Sequence, residues 1–115
     1  MFKKPLLLLL VLLHFSVSSQ ETIRIISWNI RDFGKTKSSD ELDRMAEIVR
    51  DADIVAIQEV VAGYGGAQAV AKLAAILNRK GSKWYYVISD PTNSTMYVTE
   101  RYAFIWKTKQ ITLKI

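Results

Sequence analysis

Two apolar runs separated by one amphipathic stretch constrain this chain more than anything else in it. The first lies within Glu21 to Ile30, where Ile23, Ile25 and Ile26 are followed by Trp28 and Ile30. It is apolar on both faces, which suggests a central strand covered on both sides. The second, Asp53 to Val60, holds Ile54, Val55, Ala56 and Ile57 in unbroken succession and also reads as a strand. Between them, Ser38 and Glu41 have the spacing of a capping box, in which each side chain satisfies an orphan backbone N–H of a helix start. Leu42, Met45, Ile48 and Val49 then recur at helical spacing, and Asp51 to Asp53 ends the helix. Arg31 to Lys37, with Asp32 and Gly34, reads as a loop. Strand, helix and strand joined by short links form a βαβ unit, so the two strands are expected to be parallel with a right-handed crossover.

The remaining chain continues the alternation. Gly63, Gly65 and Gly66 mark a loop, and Ala67 to Asn78 returns to a helix with Val70, Leu73, Ala74 and Leu77 on one face and Gly81 as its stop. Trp84 to Ser89 and Arg101 to Lys107 are β-rich, and Asp90 to Ser94 is a turn or loop with Pro91 and Asn93. The pair is expected to be an antiparallel hairpin with a long connection. Gln110 to Ile115 alternates Ile111, Leu113 and Ile115, the pattern of a further strand.

The first nineteen residues stand apart. Lys3 and Lys4 precede a leucine-rich run, and Ser16 to Ser19 supply small residues at its end. This is the three-part layout of a secretory signal, with an apolar stretch too short for a membrane span of roughly 20 residues. Residues 1–19 are therefore expected to be a cleaved signal and residues 20–115 the folded part, secreted or periplasmic, without stable membrane association. Cleavage after Ser19 removes Lys3 and Lys4 and lowers the formal net charge from +5 to +3, which permits a polyanionic partner without demanding one. The chain has no cysteine, which excludes disulfides, thiol catalysis and zinc–thiolate sites. Its one histidine, His14, lies in the leader, so residues 20–115 carry no imidazole.

Asn29 and Glu59 close the two strands of the βαβ unit. Parallel neighbours bring their carboxyl ends to one rim, where α/β proteins place their sites. A carboxylate and an amide oxygen there are hard ligands, suited to Mg²⁺, Ca²⁺ or Mn²⁺ rather than zinc. The ordinary reading of the same residues is a strand-end Asn that caps a turn and a strand-end Glu that faces water.

Three strings sharpen the choice. Ser-Trp-Asn-Ile-Arg at 27–31 with Asp32-Phe33-Gly34, then Asp-Ile-Val-Ala-Ile-Gln-Glu-Val at 53–60, then Glu-Arg-Tyr-Ala-Phe at 100–104 resemble the successive motifs of the deoxyribonuclease I-like branch of the endonuclease/exonuclease/phosphatase superfamily. The resemblance runs from Ile23 nearly to the end. Ile30-Arg31 after Asn29, and Val60-Val61 after Glu59, depart from the pattern of the apurinic-site nucleases. Val61 also departs from the deoxyribonucleases, which have at that position an arginine that enters the DNA minor groove.

The resemblance implies an α/β fold: the N-terminal half of a four-layer αββα sandwich, a mixed sheet with flanking helices. It implies a metal-dependent phosphodiesterase, a secreted endonuclease hydrolysing DNA, with Mg²⁺ as the first choice of cation and Ca²⁺ or Mn²⁺ as alternatives. Glu59 is implied as the principal metal ligand, Asn29 as its partner on metal or scissile phosphate, and Glu100 as the carboxylate that orients a catalytic histidine. Arg31 is implied as a phosphate contact, because a guanidinium fork fits phosphate oxygens. Arg101 either pairs with a carboxylate inside the fold or contacts DNA, and Tyr97 either packs on a sugar or base or is a plain surface tyrosine. The histidines and further ligands of such enzymes belong to a C-terminal half, so the chain reads as a fragment that is inactive alone, with an open sheet face where that half would pack. Two other readings stay open: a sphingomyelinase- or inositol-phosphatase-like member of the superfamily, and a non-catalytic binding fragment.

Overall fold

The structure, a computed structural model, describes residues 21–92 and 99–114; the leader and Tyr97 lie outside the described residues. Four strands and two helices alternate along the chain: β1 (Ile25–Phe33), α1 (Ser39–Val49), β2 (Ile54–Val61), α2 (Gly66–Asn78), β3 (Trp84–Ile88) and β4 (Glu100–Lys107). The strands form one mixed sheet in the order β1-β2-β4-β3. β1 and β2 are parallel, as the βαβ pattern requires, and β4 runs antiparallel to both its neighbours. The β3–β4 pair is the expected hairpin with a long connection. Among the described residues no helix is long and apolar enough to cross a membrane.

Both helices bury their apolar stripes against one face of the sheet. Ser38 caps α1 through its hydroxyl, which accepts from the Glu41 N–H at 3.1 Å. Leu42, Met45, Ala46 and Val49 then point inward. Ile48, placed on that stripe by its spacing, is instead 62% exposed, because the stripe runs i, i+3, i+4, i+7 through Leu42, Met45, Ala46 and Val49, and position i+6 turns away from it. α2 contributes Ala69, Val70, Leu73, Ala74, Ile76 and Leu77. From the sheet come Ile30, Phe33, Val55, Ile57, Val60, Trp84, Ala103 and Ile105, all in one core cluster. The helix ends are tied to each other: Glu47 pairs with Lys80 and Arg50, and Arg50 Nη2 donates to the Lys80 carbonyl at 3.4 Å.

The opposite face of the sheet has no cover among the described residues. Ile25, Tyr85, Val87, Tyr102 and Phe104 are 40–65% exposed on it. Gln58 and Ser27, bonded at 3.0 Å, continue it across β1 and β2. This is the single-sheet half of the four-layer arrangement that the resemblance implies.

Three expectations are corrected. Among the described residues β1 is an edge strand paired only with β2, and the helices cover one of its faces, leaving Ile25 on the other face exposed. Its bounds shift towards the C-terminus: it begins at Ile25 rather than Glu21 and runs through Arg31 and Asp32 to Phe33, because the fully buried Phe33 anchors its end opposite Val60. The alternating tail is not a strand over Gln110 to Lys114. A turn from the Lys107 carbonyl to the Ile111 N–H redirects the chain, and both edges of β4 are already taken. The tail's Ile111 and Leu113 instead border a hollow with Tyr85 and Trp106.

Candidate active site

The topology brings the ends of β1 and β2 and the start of β4 to one rim. The ladders are irregular there. Between Asn29 and Phe33 β1 spends four steps while β2 spends two, from Gln58 to Val60. Against β4, β2 itself carries one extra residue between Ile57 and Val60. Both strands therefore bulge at the same level, and bulges re-aim side chains. Asp32 and Glu59 occupy the left-handed region, at φ 50° and 59°. That conformation costs a residue with a Cβ roughly 1–3 kcal/mol. It is held by the neighbours on either side, since Phe33 and Val60 are fully buried and each contributes about 1.5–3 kcal/mol by that burial.

The bulge turns Glu59 into a cleft of about 290 Å³. Glu100 enters the same cleft from β4, where it stands across the ladder from Val61. Its backbone is fixed from the other side: the Glu100 N–H donates to Thr92 Oγ1 at 3.2 Å, and the Thr92 N–H donates to the Glu100 carbonyl at 2.8 Å. Asp32 is a third lining carboxylate, although its sequence context reads as ordinary loop. Its place directly after Arg31 in the first motif is the one signal the sequence offers for it. Only the bulge turns that signal into a position in the site.

The other candidates stand around this cleft. Asn29 lies beside it rather than in its wall: it is the ladder partner of Gln58, the residue before Glu59, and is exposed. Arg31 is on the surface next to Asp32, 4.0 Å from its carboxylate, with its side chain 92% exposed. Arg101 is half-buried and pairs with no carboxylate among the described residues. Its Nε donates to the Ala62 carbonyl at 3.2 Å and its Nη1 to the Ser89 carbonyl at 3.1 Å. It thus ties the loop after β2 to the end of β3, directly behind the cleft. Tyr97 lies outside the described residues.

The wall formed by Val61 to Gly66 depends on two glycines. A Cβ on Gly66 would lie 1.7 Å from the Val61 carbonyl oxygen, so only glycine lets α2 start this close to the end of β2. Gly65, at φ 98°, packs tightly on Lys35, and its N–H donates to Gln68 Oε1 at 3.0 Å.

The cleft's donors are carboxylate oxygens, with an amide on the neighbouring ladder position. That set fits a hard divalent cation. Among the described residues no three His, Cys, Asp or Glu side chains are close enough to form a complete metal-holding group.

The chain is similar to known proteins over most of its length. Human deoxyribonuclease gamma is 32% identical over 115 residues, covering 96% of this chain and 35% of that protein. Bovine deoxyribonuclease-1 is 37% identical over 95 residues, covering 80% of this chain and 33% of that protein. A solved endonuclease/exonuclease/phosphatase family protein from Leptotrichia buccalis C-1013-b superposes with a TM-score of 0.56 over 74% of this chain and 38% of its own, at 16% identity, which bears on the fold alone. No protein-family model matches the chain. The chain spans about a third of the length of the curated relatives it matches.

Proposed function

Because the chain belongs to the endonuclease/exonuclease/phosphatase superfamily, on its deoxyribonuclease I-like branch and as the N-terminal portion of that fold, we propose that it supplies one half of the active site of a metal-dependent deoxyribonuclease. The observation behind this reading is the meeting of Glu59 and Glu100, from motifs far apart in sequence, in one cleft at the sheet rim.

Glu59 would hold a divalent cation, Mg²⁺ in the first instance, with Asn29 beside it on the metal or the scissile phosphate. Such a cation, when bound, lowers the charge on the phosphate and acidifies a coordinated water. Glu100 would accept from an imidazole N–H and so fix that ring's orientation. Residues 20–115 contain no histidine, so the ring would come from elsewhere in the protein. The exposed Arg31 makes no side-chain bond to the core among the described residues and would meet a phosphate on approach, with Asp32 restraining it only weakly at 4.0 Å. The leader's layout supports export, to the periplasm or outside the cell.

Plasmid nicking by the full-length gene product, in Mg²⁺ or Mn²⁺, tests the proposal. Activity is expected to fall by at least a hundredfold in Glu59→Gln and in Glu100→Gln, while the 115-residue chain alone gives negligible turnover. Hydrolysis of sphingomyelin or an inositol phosphate in place of DNA would reassign the substrate, and full activity of Glu59→Gln would remove the site.

A further inference from the structure

A second depression, about 320 Å³, lies between the turn after β1 and the start of α2. Lys35, Lys37 and Lys72 line it, with Tyr64 and Gln68 at its margin. Tyr64 is 80% exposed there. The acidic cleft and the basic hollow are not separate. A smaller groove of about 230 Å³ joins them, sharing Asp32 and Val61 with the first and Gly34, Lys35 and Tyr64 with the second.

The lysines' placement is built into the fold. Lys35 packs against Gly65 so closely that a Cβ on that glycine would stand 2.7 Å from the Lys35 backbone nitrogen. Lys37 is drawn back by its N–H, which donates to the Gly34 carbonyl at 3.1 Å, and is half-buried. Lys72 follows one helical turn after Gln68 and Ala69 on the same face of α2. The ion pairs among the described residues use Arg31, Arg50 and Lys80 and none of these three.

We infer that the basic hollow seats backbone phosphates of the same nucleic-acid strand whose scissile phosphate lies in the acidic cleft, the joining groove setting the strand's path past Tyr64. This rests on the reading of the acidic cleft as a phosphodiester site. Three ammonium groups in an open hollow are matched to a run of phosphates, because each phosphate neutralised releases condensed counterions. A small phosphomonoester offers one such group and leaves the length of the groove unused.

Binding of a short fluorescein-labelled DNA duplex to the chain, followed by anisotropy in EDTA across a NaCl series, isolates this grip from hydrolysis. In the Lys35→Gln/Lys37→Gln/Lys72→Gln variant, the slope of log Kobs against log[NaCl] is expected to become shallower by about 0.9 for each phosphate that is no longer neutralised. A second variant, Lys83→Gln/Lys109→Gln/Lys114→Gln, removes the same charge from the opposite end of the sheet and is expected to keep the wild-type slope. None of these six side chains is buried, so far-ultraviolet circular dichroism is expected to be unchanged. Equal slope changes in the two variants, or no change in the first, overturn the inference. A slope that responds to the hollow's lysines while the full-length protein hydrolyses no DNA sustains the grip and defeats the nuclease proposal instead.

Discussion

Arg101 reaches back from β4 to the carbonyl of Ala62, 39 residues earlier, and the 3.2 Å bond between them holds the cleft's wall against its frame. A second bond to the Ser89 carbonyl makes the guanidinium a clamp between two loops. Removing it leaves two partly buried carbonyls without their charged donor. Arg101→Ala is expected to lower stability by about 2 kcal/mol, and Arg101→Lys to recover little, since an ammonium lacks the fork. Urea unfolding checks both; a midpoint unchanged in Arg101→Ala would show the clamp to be ornamental.

Glu59 sits at φ 59°, a conformation suited to glycine. Glu59→Gly is therefore expected to be more stable than Glu59→Ala by about 1 kcal/mol, although both remove the same carboxylate. Thermal unfolding of the two variants, run side by side, gives the difference directly. Equal stabilities would mean that the bulge relaxes once the carboxylate has gone.

Gly66 allows no side chain. A methyl group there meets the Val61 carbonyl at 1.7 Å, a backbone atom that cannot swing aside. Gly66→Ala is expected to cost more than about 3 kcal/mol, whereas Gly63→Ala, which would meet nothing within 4 Å, is expected to be near neutral. Soluble yield and urea midpoints of the pair provide the comparison.

Glu47 is held below its ordinary carboxylate value, first by the hydrogen bond from Lys80 and then by that ammonium's charge, with Arg50 adding less. A carboxyl whose folded pKa is depressed contributes stability above its unfolded pKa and loses it as pH falls through the folded value. The group is exposed and salt-screened, so its effect is small. Glu47→Gln is expected to flatten slightly the loss of stability in the acid range below the ordinary carboxylate pKa. The difference should show in urea midpoints at low ionic strength and vanish at high salt.

The bare sheet face is open to a separate test. Phe104 and Val87 are ladder partners, 48% and 40% exposed. Phe104→Ser with Val87→Ser is expected to change the unfolding free energy by less than about 1 kcal/mol while reducing self-association and binding of a hydrophobic dye. Light scattering and dye fluorescence would report it; unchanged self-association would place the adhesive surface elsewhere.

The βαβ unit, both helices and the hairpin are legible in the sequence because periodicity and capping are local properties. Ser38 and Glu41 mark the start of α1 by their spacing, and the bond between the Ser38 hydroxyl and the Glu41 N–H lies at that end. The edge position of β1 is not legible, since an apolar strand looks the same whichever neighbour it lacks. Nor is the tail's departure from strand geometry, because alternation licenses a strand only where a sheet edge receives it. At the site, Glu59 and Glu100 are readable from their motifs. Asp32 is not, because a bulge is a disagreement between two strands and neither strand's sequence contains it. The lysine hollow stays hidden for a similar reason: Lys35, Lys37 and Lys72 come from different elements, and only the close fit of Gly65 onto Lys35 brings them together.

The strand order has a consequence for how the molecule comes into being. β3 precedes β4 in the chain but, among the described residues, β4 is its one partner in the sheet, so β3 joins the sheet only once β4 has inserted between it and β2. Such an insertion closes long stretches of chain late and slowly. The meeting of Glu59 with Glu100 therefore waits on the long-range pairing of β4 with β2. Ala103 and Ile105 of β4 belong to the core cluster, so a nascent chain would complete its packed interior and bring its two carboxylates together in the same event.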